Sequence, residues 1–135
     1  MRPIPAPPRG FEQWAASGTS EHVLGREVFV RDVPAQQPGS HEPVVLLHGF
    51  PGSSYDWSAV APLLGASRRV LTLDLPGYGL SAKPASGDYS LFRQADVVEA
   101  VLAGHGITEC ALVAHDMGNT VAAELMARRL VPATT

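Results

Sequence analysis

The chain has 135 residues, 45% of them hydrophobic and 17% charged, the balance of a soluble globular unit or of part of a larger one. A formal net charge of −3 gives no electrostatic basis for binding nucleic acid or an anionic membrane, and no apolar run approaches the ~18 residues of a membrane span. The single cysteine, Cys110, excludes an internal disulfide and a thiolate zinc cluster and suits a reducing, cytoplasmic setting.

The N-terminus carries Pro3, Pro5, Pro7 and Pro8 and lacks the apolar stretch of a secretory signal. Proline fixes φ and removes donors, so residues 1–10 are expected as an extended arm. Residues 11–20 show no clear period, and the division drawn is a Pro-rich arm over 1–20 and a core over 21–135. Val23 to Val33 alternates loosely and predicts a strand or hairpin; Pro34 to Pro43 reads as a polar loop. Then the pattern becomes regular. Val44 to Leu47, Val70 to Leu73 and Cys110 to Val113 are short continuous apolar runs, as in strands buried on both faces. Between and after them lie helical spacings: Trp57, Val60, Ala61, Leu63 and Leu64, capped by Ser53 or Ser54 and ended by Gly65; Leu91 to Leu102, stopped by Gly104; and Val121, Ala122, Leu125 and Met126. Strand and helix alternating three times predicts an α/β fold, a mostly parallel sheet with crossover helices.

Sites in such sheets gather at the C-terminal ends of the strands. Three features fall there: His48-Gly49-Phe50-Pro51-Gly52, Asp74-Leu75-Pro76-Gly77-Tyr78-Gly79 and Ala114-His115-Asp116-Met117-Gly118. The last has the form small-x-apex-x-small between a strand and a helix. A sharp turn there needs little side chain at Ala114 and Gly118 and places the apex at strained positive φ, which aspartate tolerates. Asp116 then projects above the sheet beside a helix N-terminus, which favours negative charge.

Over residues 21–131 these motifs, in their order and separation, resemble the N-terminal half of an α/β-hydrolase-fold enzyme. Asp116 stands where many members have serine, which resembles the aspartate-nucleophile branch of epoxide hydrolases and haloalkane dehalogenases. A carboxylate of pKa about 3.9 is ionised at neutral pH and can attack a saturated carbon to form an alkyl ester, without the base that serine needs. The resemblance implies that the Phe50 and Met117 N–H groups form an oxyanion hole, worth about 3–4 kcal/mol per donor, and that Phe50-Pro51 is cis. Haloalkane dehalogenases place a halide-binding Trp after the nucleophile and an Asn after the first His-Gly. Met117 and Phe50 offer no such donors, so the epoxide hydrolase pattern is the nearer one.

The expected substrate is a small epoxide, alkyl halide or ester, with no cofactor and no metal, since no His/Asp/Glu group has ligand spacing. The family's histidine lies downstream of the nucleophile, whereas His22, His41, His48, His105 and His115 all precede Asp116. The chain therefore reads as a piece of one roughly twice as long, lacking its later acid, its histidine, its sixth strand and its cap, and inactive alone. The Cys110 to Val113 strand should keep an unpaired edge open to self-association. Simpler readings stand beside these. Asp116 could be a plain N-cap, His48 a hydrogen-bonded structural residue, Asp74 the organiser of its own loop, and Trp57 a packing residue rather than a wall of the site. A catalytically inactive interaction module of the same fold is the alternative of a different class.

Overall fold

Val44–Leu47 (β3) and Val70–Leu73 (β4) pair in parallel, and all eight residues are buried. Their alternation divides the core. Val45, Leu47, Leu71 and Leu73 face Val97, Val98, Val101, Val121 and Leu125 of two helices, Leu91–Gly104 (α3) and Met117–Leu130 (α4). Val44, Leu46 and Val70 point the other way, onto Trp14, Phe29 and Ala61. A computed structural model describes residues 10–37, 39 and 41–130 of the chain. Thr19–Val23 (β1), Arg26–Val33 (β2) and Ala111–Ala114 (β5) complete a five-stranded sheet of order β1-β2-β4-β3-β5. The β4-β3-β5 part is parallel, and β1 and β2 join it antiparallel.

Three local features differ from the sequence expectations. Residues 10–20 are not part of an arm: Gly10–Ala16 forms a helix (α1), Thr19 opens β1, and Trp14 is fully buried in the second core layer. Residues 1–9 lie outside the described residues. The helix expected from Trp57 to Leu64 is broken into a 3-10 turn, Ser54–Trp57, and a short helix, Ala61–Gly65 (α2). Pro62 is the cause. It cannot donate to the carbonyl four residues back and is tolerated only in a first turn, so the helix must restart just before it. Ser53 caps the 3-10 turn in a capping box with Asp56, while Ser54 is buried. Finally, α3 closes after Gly104 on His105, with Gly106 at φ +69°. Ile107 N–H donates to Leu102 O and Gly106 N–H to Ala103 O, the two bonds of a Schellman ending.

The end of α3 is stapled to the far strands. His105 Nδ1 lies 2.7 Å from Asp32 Oδ2 and Nε2 2.8 Å from Glu21 Oε2, while Arg69 forks onto Asp32 at 2.6 and 2.9 Å and onto His105 O at 2.8 Å. A neutral imidazole has one N–H and cannot satisfy two carboxylates, so this geometry calls for imidazolium. Burial pulls its pKa down, but the hydrogen bonds to Glu21 and Asp32 outweigh that and raise it above the ordinary histidine value. A raised folded-state pKa gives stability that is fully present below the unfolded value of about 6.5 and is lost as pH rises through the folded one. Urea midpoints measured across this window should fall with rising pH in the parent chain, and fall less in His105→Gln.

The apolar run of β5 predicts a strand buried on both faces, but none of its four residues is fully buried: its outer edge carries no strand among the described residues, and Val113 is 37% exposed there. Beside that edge runs a groove of about 690 Å³ whose floor includes Leu102, Ile107, Leu112 and Leu125 and whose lining also holds Glu99 and Arg129.

Candidate active site

The C-terminal ends of β3, β4 and β5 meet at one corner. β5 ends at Ala114, α4 begins at Met117, and Asp116 at the apex between them has φ +54°. Few residues other than glycine adopt that conformation, and aspartate is among the better tolerated. The turn needs its small residues. A Cβ on Gly118 would lie 2.5 Å from the carbonyl oxygens of Leu47 and His48, and a Cβ on Gly49 would lie 2.5 Å from that of Asp116. Glycine at both positions lets α4 seat directly against the end of β3.

Phe50 N–H donates to Asp116 Oδ1 at 2.8 Å, and the Met117 N–H adds a second donation. These two amides, Phe50 first, hold the exposed carboxyl below the usual carboxylate range. A carboxylate has more acceptor sites than these two N–H groups fill, and Asp116 is exposed. The Phe50-Pro51 peptide is cis.

Two buried polar residues tie the neighbouring loops together. His48 Nε2 accepts the Leu75 N–H at 2.9 Å, so its proton is on Nδ1, which donates to Gly49 O at 3.0 Å. With both ring nitrogens engaged, His48 fits the structural reading. Asp74 accepts from Ser54 N–H and Leu80 N–H, each at 2.7 Å, and its own carbonyl accepts from Ser81 Oγ. It organises the Pro76 to Gly79 loop and spans to the loop after β3. Trp57 packs with Val44, Leu46 and Ala61, on the face opposite that of Tyr78 and Met117, and fits the packing reading. His115 is exposed next to Asp116.

Sequence reasoning gave Tyr78 no role of its own, yet its ring stands at the centre of this corner. It meets the ring of His48 at 5.4 Å and that of Phe50 at 6.3 Å, both edge-on, and its hydroxyl donates to Met117 Sδ at 3.5 Å. The signal available was its place one residue past the tight Pro76-Gly77 turn at a strand end. Ser54 was also legible only as a cap, though its hydroxyl is the buried acceptor for Trp14 Nε1–H. Among the described residues no group of three or more His, Cys, Asp or Glu side chains is placed to hold a metal ion, and no helix is long and apolar enough to cross a membrane.

The strand order, the acidic apex and the paired amides define a partial α/β-hydrolase core. The sequence profile of the alpha/beta hydrolase fold matches residues 42–133, and the chain belongs to that family. It is 43% identical over 129 residues to the mesoderm-specific transcript homolog protein of Bos taurus, covering 93% of this chain and 38% of that one. The haloalkane dehalogenase DbeA-M1 loop variant from Bradyrhizobium elkanii superposes with a TM-score of 0.75 at 37% identity, over 84% of this chain and 36% of its own. The epoxide hydrolase VrEH1 from Vigna radiata does so with a TM-score of 0.70 at 31% identity, over the same shares. The chain thus spans well under half the length of the proteins it matches.

Proposed function

We propose that Asp116 is the nucleophile of a hydrolase that works through a covalent alkyl–aspartate ester, with epoxides as the substrate class. The observation that carries this reading is the hydrogen bond from Phe50 N–H to Asp116 Oδ1 at a strand-to-helix apex of positive φ. An ordinary N-cap needs no donor from a loop 66 residues away in sequence. Oδ2 attacks the less hindered epoxide carbon as the ring C–O bond breaks, and the ring oxygen leaves as an alkoxide that must be protonated. Water then adds to Cγ, the negative charge develops on Oδ1 between the Phe50 and Met117 amides, and collapse releases the diol and restores the carboxylate. Protonation of the alkoxide and activation of that water fall to groups of a longer parent. Cys110 as the lone thiol supports a cytoplasmic location, and the open β5 edge supports self-association of this chain.

A second reading, dehalogenation, draws support from the dehalogenase superposition. It requires the same attack by Oδ2 with halide as the leaving group. Phe50 and Met117 offer that halide no side-chain N–H, which favours the epoxide reading.

Intact-mass spectrometry after incubation with a reactive epoxide tests the proposal. One adduct per chain is expected, mapped to Asp116 and absent in Asp116→Asn, without sustained diol release. Its formation rate should stay level from about pH 7 to about pH 5, because the lowered pKa keeps the carboxylate ionised there. Parallel incubation with an alkyl bromide, read as free bromide, separates the second reading. A folded chain that gives no adduct on Asp116 with either reagent overturns the nucleophile assignment; sustained diol formation would show that this half needs no further residues.

A further inference from the structure

We propose that Tyr78 is the positioning residue of this corner: one ring braces the side chains of both Phe50 and Met117, the residues whose N–H groups hold Asp116. The proposal takes its functional meaning from the nucleophile reading above, but its geometry stands independently.

The brace has three contacts on two elements, the loop after β3 and the start of α4. The Tyr78 ring lies 6.3 Å from that of Phe50 at 87°, and 5.4 Å from that of His48 at 66°. Its hydroxyl donates to Met117 Sδ at 3.5 Å. Edge-to-face rings at these separations attract, and sulfur near an aromatic ring does so as well. Phe50 has most need of a brace, because it is 66% exposed and its backbone N–H must still meet Asp116.

A brace must itself be fixed. Tyr78 N–H donates to Leu75 O and Tyr78 O accepts from Ser81 N–H, both at 3.0 Å, which closes the loop around it. Asp74 then ties Leu80 to Ser54, and His48 ties Leu75 to the end of β3. The ring is therefore held at a set distance from Phe50 through the backbone on both sides. A residue that only filled core space would not need its hydroxyl on Met117 and its edge on Phe50 at once.

The test reads the carboxyl and its amides, not catalysis. Carbon-13-labelled aspartate, with Asp116→Asn to assign the signal, gives the Asp116 titration midpoint by NMR. Hydrogen exchange gives the Phe50 and Met117 amides. In Tyr78→Ala the midpoint should rise toward the ordinary aspartate value of about 3.9. The two amides should exchange about five-fold faster, the factor expected for one weakened hydrogen bond. Tyr78→Phe keeps the ring and should shift the midpoint less, while moving the Met117 methyl resonance. Phe92→Ala, which removes an exposed aromatic on α3, should leave both readouts at parent values. Should Tyr78→Ala not fold, Tyr78→Leu, which keeps bulk without a ring edge, carries the same readouts. A folded Ala or Leu variant with the parent midpoint and parent exchange rates overturns the proposal. Failure of epoxide labelling in the parent chain would instead sink the nucleophile reading and leave these measurements unaffected.

Discussion

Trp14→Ala should destabilise the chain by about 3–5 kcal/mol, the usual loss when a large buried aromatic is truncated in a core. The indole is fully buried beneath the sheet, where it packs with Phe29, Val44, Leu46, Ala61 and Val70. It also closes three polar or aromatic contacts. Nε1–H donates to Ser54 Oγ at 3.0 Å, the Tyr55 ring meets it edge-on at 6.2 Å, and the Arg31 guanidinium stacks 4.4 Å above it. Truncation leaves a cavity and strands a buried hydroxyl. Trp14→Phe refills much of the cavity but not the hydrogen bond, so it should cost far less, about 1–2 kcal/mol. Urea unfolding of both variants with an unchanged m-value checks the pair. Equal losses for Ala and Phe would show that the hydrogen bond, not the packing, dominates.

Asp74→Ala should cost about 2–6 kcal/mol, because it leaves the Ser54 and Leu80 amides without their acceptor, at roughly 1–3 kcal/mol each. Asp74 is 1% exposed, so water does not readily substitute. Asp74→Asn keeps one acceptor oxygen but turns an NH2 toward the other amide, and should fall between parent and Ala. The measurement is again urea unfolding, with amide exchange at Ser54 and Leu80 as the local readout. Because the same carboxyl secures the loop that carries Tyr78, labelling of Asp116 should slow in both variants. Stability loss with unchanged labelling would separate the loop's structural role from its influence on the corner.

The strands β3, β4 and β5 and the strand-to-helix apex were legible because their signals are local: unbroken apolar runs, and small residues flanking an acidic one. Ala114, Asp116 and Gly118 state their geometry within five positions. Trp14 was not legible, because nothing in residues 11–20 shows a period; its burial comes from contacts with Ser54, Phe29 and Arg31, far along the chain. The break at Pro62 was visible in principle, but helical spacing on both sides masked it. His105 carried no signal as a staple, since its partners Glu21 and Asp32 come from β1 and β2, 84 and 73 residues away. Tyr78 was legible only as part of the Asp74 to Gly79 motif, and its use as a brace needs the fold to bring Phe50 and Met117 to it.

The bonds from Phe50 to Asp116, Leu75 to His48 and Ser54 to Asp74 each run between loops that follow different strands, and the bond from Leu80 to Asp74 closes the loop after β4. Recombination between relatives therefore has an inherited unit here. The segment around residues 48–56 shares backbone donors with those around 74–81 and 114–118, so a transplant of any one alone leaves an orphaned amide in a neighbour. Chimeras that exchange the three together keep every cross-tie, whereas changes confined to the Ala82 to Asp88 stretch, which supplies none of these partners, cut none of them. A library built on this core would gain diversity at that stretch and lose folded members wherever one of the three is varied by itself.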